Sequence, residues 1–222
     1  MVMQEINIVR VFGQKLLIAC SILTLYACNK SEVGVPFYLT PDLSPVWDAE
    51  NVTPKSHTIA SFQFTNQEGE AFGSHQLEGK IYVANFFFTS CPSICPKMTN
   101  NLVRVSDAFK NTADVGLVSF SVTPDIDSVA TLKRFHDLYE LRDHWSLLTG
   151  SQDDIYNLAR KSYFVEERFG LTLSSNEFLH TERCIIIDKY GHIRGVYNAT
   201  VALDMDRIID DINQLLEMDK RN

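Results

Sequence analysis

No run of lysine or arginine stands out anywhere in the 222 residues, and the formal charge is −8. A nucleic-acid face needs clustered cations to neutralise phosphates, so nucleic acid is excluded as a partner. The chain also lacks an apolar stretch long enough to span a bilayer, because its one candidate, Leu16 to Ala27, is too short. Cysteine is sparse at five residues, which excludes a multi-disulfide scaffold. Proline is absent after Pro124, and internal repeats and low-complexity tracts are missing throughout. What remains is an ordinary globular composition, 45% hydrophobic and 22% charged, at a length that suits one domain with appendages.

The short apolar run has its own meaning. Arg10 and Lys15 precede it, the charge pattern of a secretory signal, and residues 1–27 are assigned to that signal. Its end, Leu25-Tyr26-Ala27-Cys28, resembles the lipobox of bacterial lipoproteins, in which the cysteine is lipidated and becomes the new N-terminus. Leu17-Ile18-Ala19-Cys20 fits the local pattern better, but cleavage there would leave almost no apolar segment after Lys15, so Cys28 is the expected lipid site. The alternative is an uncleaved anchor. Both place the rest of the chain outside the cytoplasm on a membrane, on the periplasmic side if bacterial. Residues 28–56 carry Pro36, Pro41, Pro45 and Pro54 with little periodicity, as expected of a tethering linker ahead of a domain at 57–222.

Within that domain, Phe62 to Thr65 and Ala71 to Phe72 flank the turn Asn66-Gln67-Glu68-Gly69, a predicted β-hairpin. Ile81 to Phe88 reads as a strand buried on both faces. Met98, Leu102, Val105 and Phe109 then recur at helical spacing, followed by a strand over Val115 to Val122 and a helix face at Val129, Leu132, Phe135 and Tyr139. A short strand at Trp145 to Leu148, a helix with a Ser151/Asp154 capping-box start, a second hairpin around Asp188 to Gly191 and a last helix through Ile208 and Ile212 complete the order. This pattern predicts an α/β, thioredoxin-like fold, a central mixed sheet flanked by helices with an N-terminal hairpin.

The chemistry concentrates at Cys91-Pro92-Ser93-Ile94-Cys95-Pro96, between the buried strand and the next helix. If the helix starts near Cys91, Pro92 takes its first position, where a missing N–H costs nothing, and Cys95 lies one turn on. Two thiols so placed could grip one ion or close a disulfide, and a helix N-terminus favours the thiolate. A structural disulfide or plain core residues would also explain the spacing. The position after a buried strand, with a proline after each cysteine, favours the reactive reading.

The run Phe86-Phe87-Phe88-Thr89-Ser90-Cys91-Pro92-Ser93-Ile94-Cys95-Pro96 resembles the CxxxCP motif of the SCO/SenC family. Leu179-His180-Thr181 ahead of the strand at Cys184 and Gly79-Lys80 ahead of the first core strand extend the resemblance, which covers about residues 57–216. Members of that family are membrane-anchored, thioredoxin-fold proteins that bind copper and assist assembly of the dinuclear copper centre of cytochrome c oxidase, as chaperones, thiol reductants or both. The resemblance implies that Cys91, Cys95 and His180 bind one copper ion per chain, as Cu(I) or Cu(II). It implies a partner in the copper-binding subunit of the oxidase or another extracytoplasmic copper or thiol protein. Thr123 stands where many members have Asp, with Asp125 and Asp127 following, a departure from the family pattern.

The donor chemistry agrees: soft thiolates suit Cu(I), and an imidazole extends the set to Cu(II). Thioredoxin-type oxidoreductases place a cis-proline before the strand that abuts their cysteines, whereas this chain has His180 in that neighbourhood, which favours metal handling. The competing reading is a thiol-disulfide oxidoreductase in which Cys91 attacks and Cys95 resolves. Cys184 is expected as a buried apolar residue, and His57, His75, His136, His144 and His192 as surface residues.

Overall fold

The computed structural model describes residues 34–165 and 181–221. The expected signal at 1–27, the lipid site Cys28 and the ligand His180 fall outside that set.

One mixed sheet carries the fold. Its strands are β1 (Phe37–Tyr38), β2 (Pro45–Val46), β3 (Gln63–Asn66), β4 (Ala71–Gly73), β5 (Ile81–Phe87), β6 (Val115–Ser121), β7 (Trp145–Thr149), β8 (Arg183–Ile187) and β9 (Ile193–Asn198). They lie in the order β2-β1-β9-β8-β5-β6-β7-β3-β4. β5 runs parallel to β6, which runs parallel to β7, while β8 pairs with β5 antiparallel. Helices α1 (Ile94–Ala108), α2 (Val129–Leu138), α3 (Gln152–Lys161) and α4 (Ala202–Arg221) complete the expected α/β, thioredoxin-like arrangement.

Every residue of β5 and β6 is buried, which explains why both read as unbroken apolar runs. Alternation along β5 divides the core. Ile81, Val83 and Phe87 face a layer with Leu102 of α1, Leu132 of α2 and Ile208 of α4, whereas Tyr82, Ala84 and Phe86 face Ile155 and Ala159 of α3. On the first face a buried polar chain crosses three strands: Trp145 Nε1 donates to Ser119 Oγ at 2.8 Å, and Ser119 donates to Asn85 Oδ1 at 2.6 Å. That chain supplies partners for the one polar break in the β5 run.

The turn between β8 and β9 forms where it was predicted. Asp188 Oδ1 accepts the N–H groups of Tyr190 and His192, and Gly191 takes the left-handed conformation, φ 86°, that a glycine adopts without steric cost. Ser151 Oγ caps α3 by accepting the N–H of Asp154.

Part of the stretch expected as a linker is structured. Val35 is buried, and β1 and β2 extend the sheet beside β9. Arg194 holds this segment: its side chain bonds the carbonyls of Val35 and Pro36, pairs with Asp188 at 3.1 Å and stacks 3.7 Å from the centroid of Phe37. Strands of two residues leave no periodic trace in a proline-bearing sequence, so they escaped the sequence reading.

The histidines depart from expectation as well. Among the described histidines His75 alone is exposed; His136 is buried, and His57 and His192 are half-buried on backbone carbonyls, His57 Nε2 at 2.7 Å from Ser162 O and His192 Nδ1 at 2.8 Å from His57 O. Polar sequence neighbours had suggested solvent, but these rings pack against segments distant in sequence.

Candidate functional site

Parallel neighbours end at the same edge of a sheet, so the loops leaving β5 and β6 meet. The loop after β5 turns at Thr89–Ser90, passes Cys91 and enters α1 at Ile94. The helix therefore starts two residues later than the cysteine spacing suggested, with Ser93 as its cap residue and Pro92 outside it. Pro96 instead occupies the first turn, where N–H groups have no intrahelical partner, so its ring removes no helical bond.

Ser93 makes no side-chain cap. The Cys91 sulfur serves that end of the helix instead, accepting the N–H of Cys95 at 3.4 Å. Both cysteines are free and buried, Cys91 under a thin cover with 7% of its surface exposed and Cys95 deeper at 2%. Burial opposes ionisation of Cys91, but the N–H groups of Cys95, Ser93 and Ile94 together with the Cys95 thiol outweigh it and hold the Cys91 thiol below its ordinary value. Burial pushes the Cys95 thiol up to about 12, against a hydrogen bond at the Phe88 backbone and with Cys91 and Asp127 acting in the same direction as burial. The helix N-terminus thus activates one thiol, not both.

The loop after β6 closes the site from the other side. Asp127, with 0% exposure, accepts hydrogen bonds from the Thr89 N–H at 3.2 Å, the Thr89 hydroxyl at 2.5 Å, the Ser121 hydroxyl at 2.6 Å and the Thr123 hydroxyl at 3.1 Å. Sequence reasoning noted Asp127 only as a neighbour of Thr123. A lone acidic residue in a polar loop carries no sign that it will be buried, and only the convergence of β5 and β6 reveals its partners.

Cys184 of β8 lies opposite Asn85 of β5, fully buried, with its Sγ 3.8 Å from the Tyr197 carbonyl. Burial drives its thiol well up, which makes it an inert core residue as expected. The same register brings the start of β8, Arg183, to the edge where β5 leads into the Cys91 loop. Met98 is buried in the core layer with the two cysteines. Among the described residues no group of three or more His, Cys, Asp and Glu is gathered as a metal site. Cys91 and Cys95 come together, while His180 lies outside the described residues. No helix among those residues is long and apolar enough to cross a membrane.

A free dithiol at a strand-to-helix junction on a mixed sheet defines a thioredoxin-like protein with a CxxxC site. The sequence matches the SCO1/SenC family over residues 50–217, and the chain belongs to that family. It is similar to a SCO1/SenC family lipoprotein from Bacillus anthracis, with 34% identity and a TM-score of 0.63 over 72% of this chain and 95% of that one. It is similar to BsSco, described with a disulfide switch and as a member of the Sco family of cytochrome c oxidase assembly proteins, with 30% identity and a TM-score of 0.61 over 75% and 97% of the two chains. Bradyrhizobium japonicum ScoI, solved with copper bound, shares 26% identity and a TM-score of 0.54 over 68% and 98%.

Proposed function

We propose that this chain binds copper through Cys91, Cys95 and His180 and delivers it during assembly of the copper centre of cytochrome c oxidase. The observation that carries the reading is the adjacency of two free thiols at the start of α1, in a family with copper-bound members. Copper here is cargo. Cys91, with its lowered pKa, offers a thiolate at little cost, and a cation would draw the proton from the deeper Cys95, since binding to sulfur releases it. Two thiolates satisfy Cu(I), and an imidazole would complete a set able to hold Cu(II). The register that brings the start of β8 to this edge supports His180 as that imidazole.

His180→Ala tests the ligand set. Both thiols survive the change, so Cu(I) binding and the thiol count after reduction persist, while the thiolate-to-Cu(II) absorption is lost. An unchanged Cu(II) spectrum in that variant would remove His180 from the set.

The second reading is reduction of the oxidase cysteines, or of other dithiols, before metal arrives. The split between an activated Cys91 and a reluctant Cys95 favours it. The Cys91 thiolate would attack a partner disulfide and release one partner thiol, and Cys95 would then displace the second. The partner would leave with two thiols and this chain with a Cys91–Cys95 disulfide. The similar BsSco, with its disulfide switch, supports redox activity of the pair. The partner for either role would be the copper-binding subunit of the oxidase or another extracytoplasmic copper or thiol protein. Lipidation at Cys28 would hold the domain on the membrane beside it, as the likeness to the Bacillus anthracis lipoprotein supports.

A further inference from the structure

We propose that Asp127 is a positioning residue for the dithiol site, acting through Thr89; the proposal rests on the copper reading above and identifies what holds the thiols in register for the metal. A buried carboxyl group normally sits against a cation, because removing its charge from water is costly. Asp127 is fully buried, and no ion pair reaches it among the described residues. It is satisfied instead by four donors: the N–H and hydroxyl of Thr89 in the loop after β5, the hydroxyl of Ser121 at the end of β6 and that of Thr123 just beyond it.

Local needs do not explain this arrangement. The loop that carries Asp127 is fixed by its own bonds, with the Asp127 N–H on the Thr123 carbonyl at 2.8 Å. The following helix α2 is capped by Ser128, whose hydroxyl accepts the Thr131 N–H at 3.3 Å. The Asp127 side chain is therefore not needed as a cap, and it turns back across the sheet edge to Thr89. Thr89 stands two residues ahead of Cys91 and spends both of its donors on this one carboxyl. The Cys91 N–H bonds the Phe88 carbonyl at 3.4 Å and closes a turn with Thr89 inside it, so the turn that sets the Cys91 sulfur over the N–H of Cys95 is held by Asp127. Thr123 joins the same carboxyl by its hydroxyl, so its side chain serves the clamp.

Groups that orient metal ligands typically change metal affinity by about 10–100-fold when removed. The test compares wild type, Asp127→Asn, Thr89→Val and the double variant in the reduced chain. Cu(II) affinity is measured against a competing chelator, with the thiolate-to-Cu(II) band, and the Cys91/Cys95 midpoint is measured against glutathione. Asp127→Asn should bind Cu(II) about tenfold more weakly, with a displaced band. Its dithiol–disulfide equilibrium should move by about tenfold, which is about 30 mV. Thr89→Val removes one of the four bonds at constant side-chain shape and should shift the same quantities in the same direction by less. The double variant should match Asp127→Asn alone, because the two residues act as one unit.

Ser128→Ala, which uncaps α2, is the control for loosening of the loop in general. It should lower stability and leave band and midpoint in place. Wild-type values in Asp127→Asn, additive effects in the double variant, or an equal band shift in Ser128→Ala would each overturn the proposal. Should Asp127→Asn fail to fold, Thr89→Val decides alone, wild-type values there counting against the proposal. If the wild type bound no copper, the functional reading would fall while the midpoint series still tested Asp127.

Discussion

Cys91 and Cys95 are four residues apart yet chemically unlike, and the difference comes from depth and from which sulfur the N-terminus of α1 addresses. Thiolates, not thiols, react with alkylating agents. Because the Cys91 pKa lies below the ordinary value, its labelling by iodoacetamide should rise with pH through a midpoint below that of free cysteine. Cys95, pushed up to about 12, should remain unlabelled over the same range. Site mapping by mass spectrometry reads both residues at once, and equal labelling would contradict the asymmetry. The pair itself was legible from CxxxCP after an apolar run. Its asymmetry was not, since a sequence shows spacing but not how deeply a loop packs. Asp127 was hidden for the same reason, its four donors being drawn from Thr89 after β5, Ser121 at the end of β6 and Thr123 beyond it.

The elements that could be read were those long enough to show a period. β5, β6 and the helices carry buried faces at the predicted positions, with Met98, Leu102 and Val105 on α1 and Ile208 and Ile212 on α4. The helix start was misplaced because Pro92 and Pro96 are both compatible with a first turn, and the Asp127–Thr89 contact that turns the chain first is nonlocal. α1 supports the site from below, so its packing sets the stability of the whole arrangement. Leu102 is 0% exposed in the layer that also contains both cysteines. Leu102→Ala should cost about 2–5 kcal/mol in denaturant unfolding, through lost burial and the cavity left behind. A loss within about 0.5 kcal/mol, as at ordinary surface sites, would contradict that placement.

At the scale of the whole molecule, location and chemistry are separable. Lipid at Cys28, as proposed, would act on location alone, because buried acyl chains supply membrane affinity and no donor atom to copper. Cys28→Ala should therefore release the chain from membrane fractions while its copper stoichiometry stays unchanged; retention on the membrane after processing would contradict the lipid site. Arg194 and β1 tie residues 35–46 to the sheet, so part of the proline-bearing segment expected as a linker packs with the domain. The acidic balance of the chain, −8 overall, suits a cationic cargo and a partner with a basic docking face. The central claim is that the two thiols at the start of α1, Cys91 and Cys95, hold copper, and a copper titration of the full chain in its reduced and disulfide forms tests it most directly. The account predicts one copper per reduced chain and none once Cys91 and Cys95 are joined, because a disulfide has no thiolate to donate; equal copper binding by the disulfide form would contradict it.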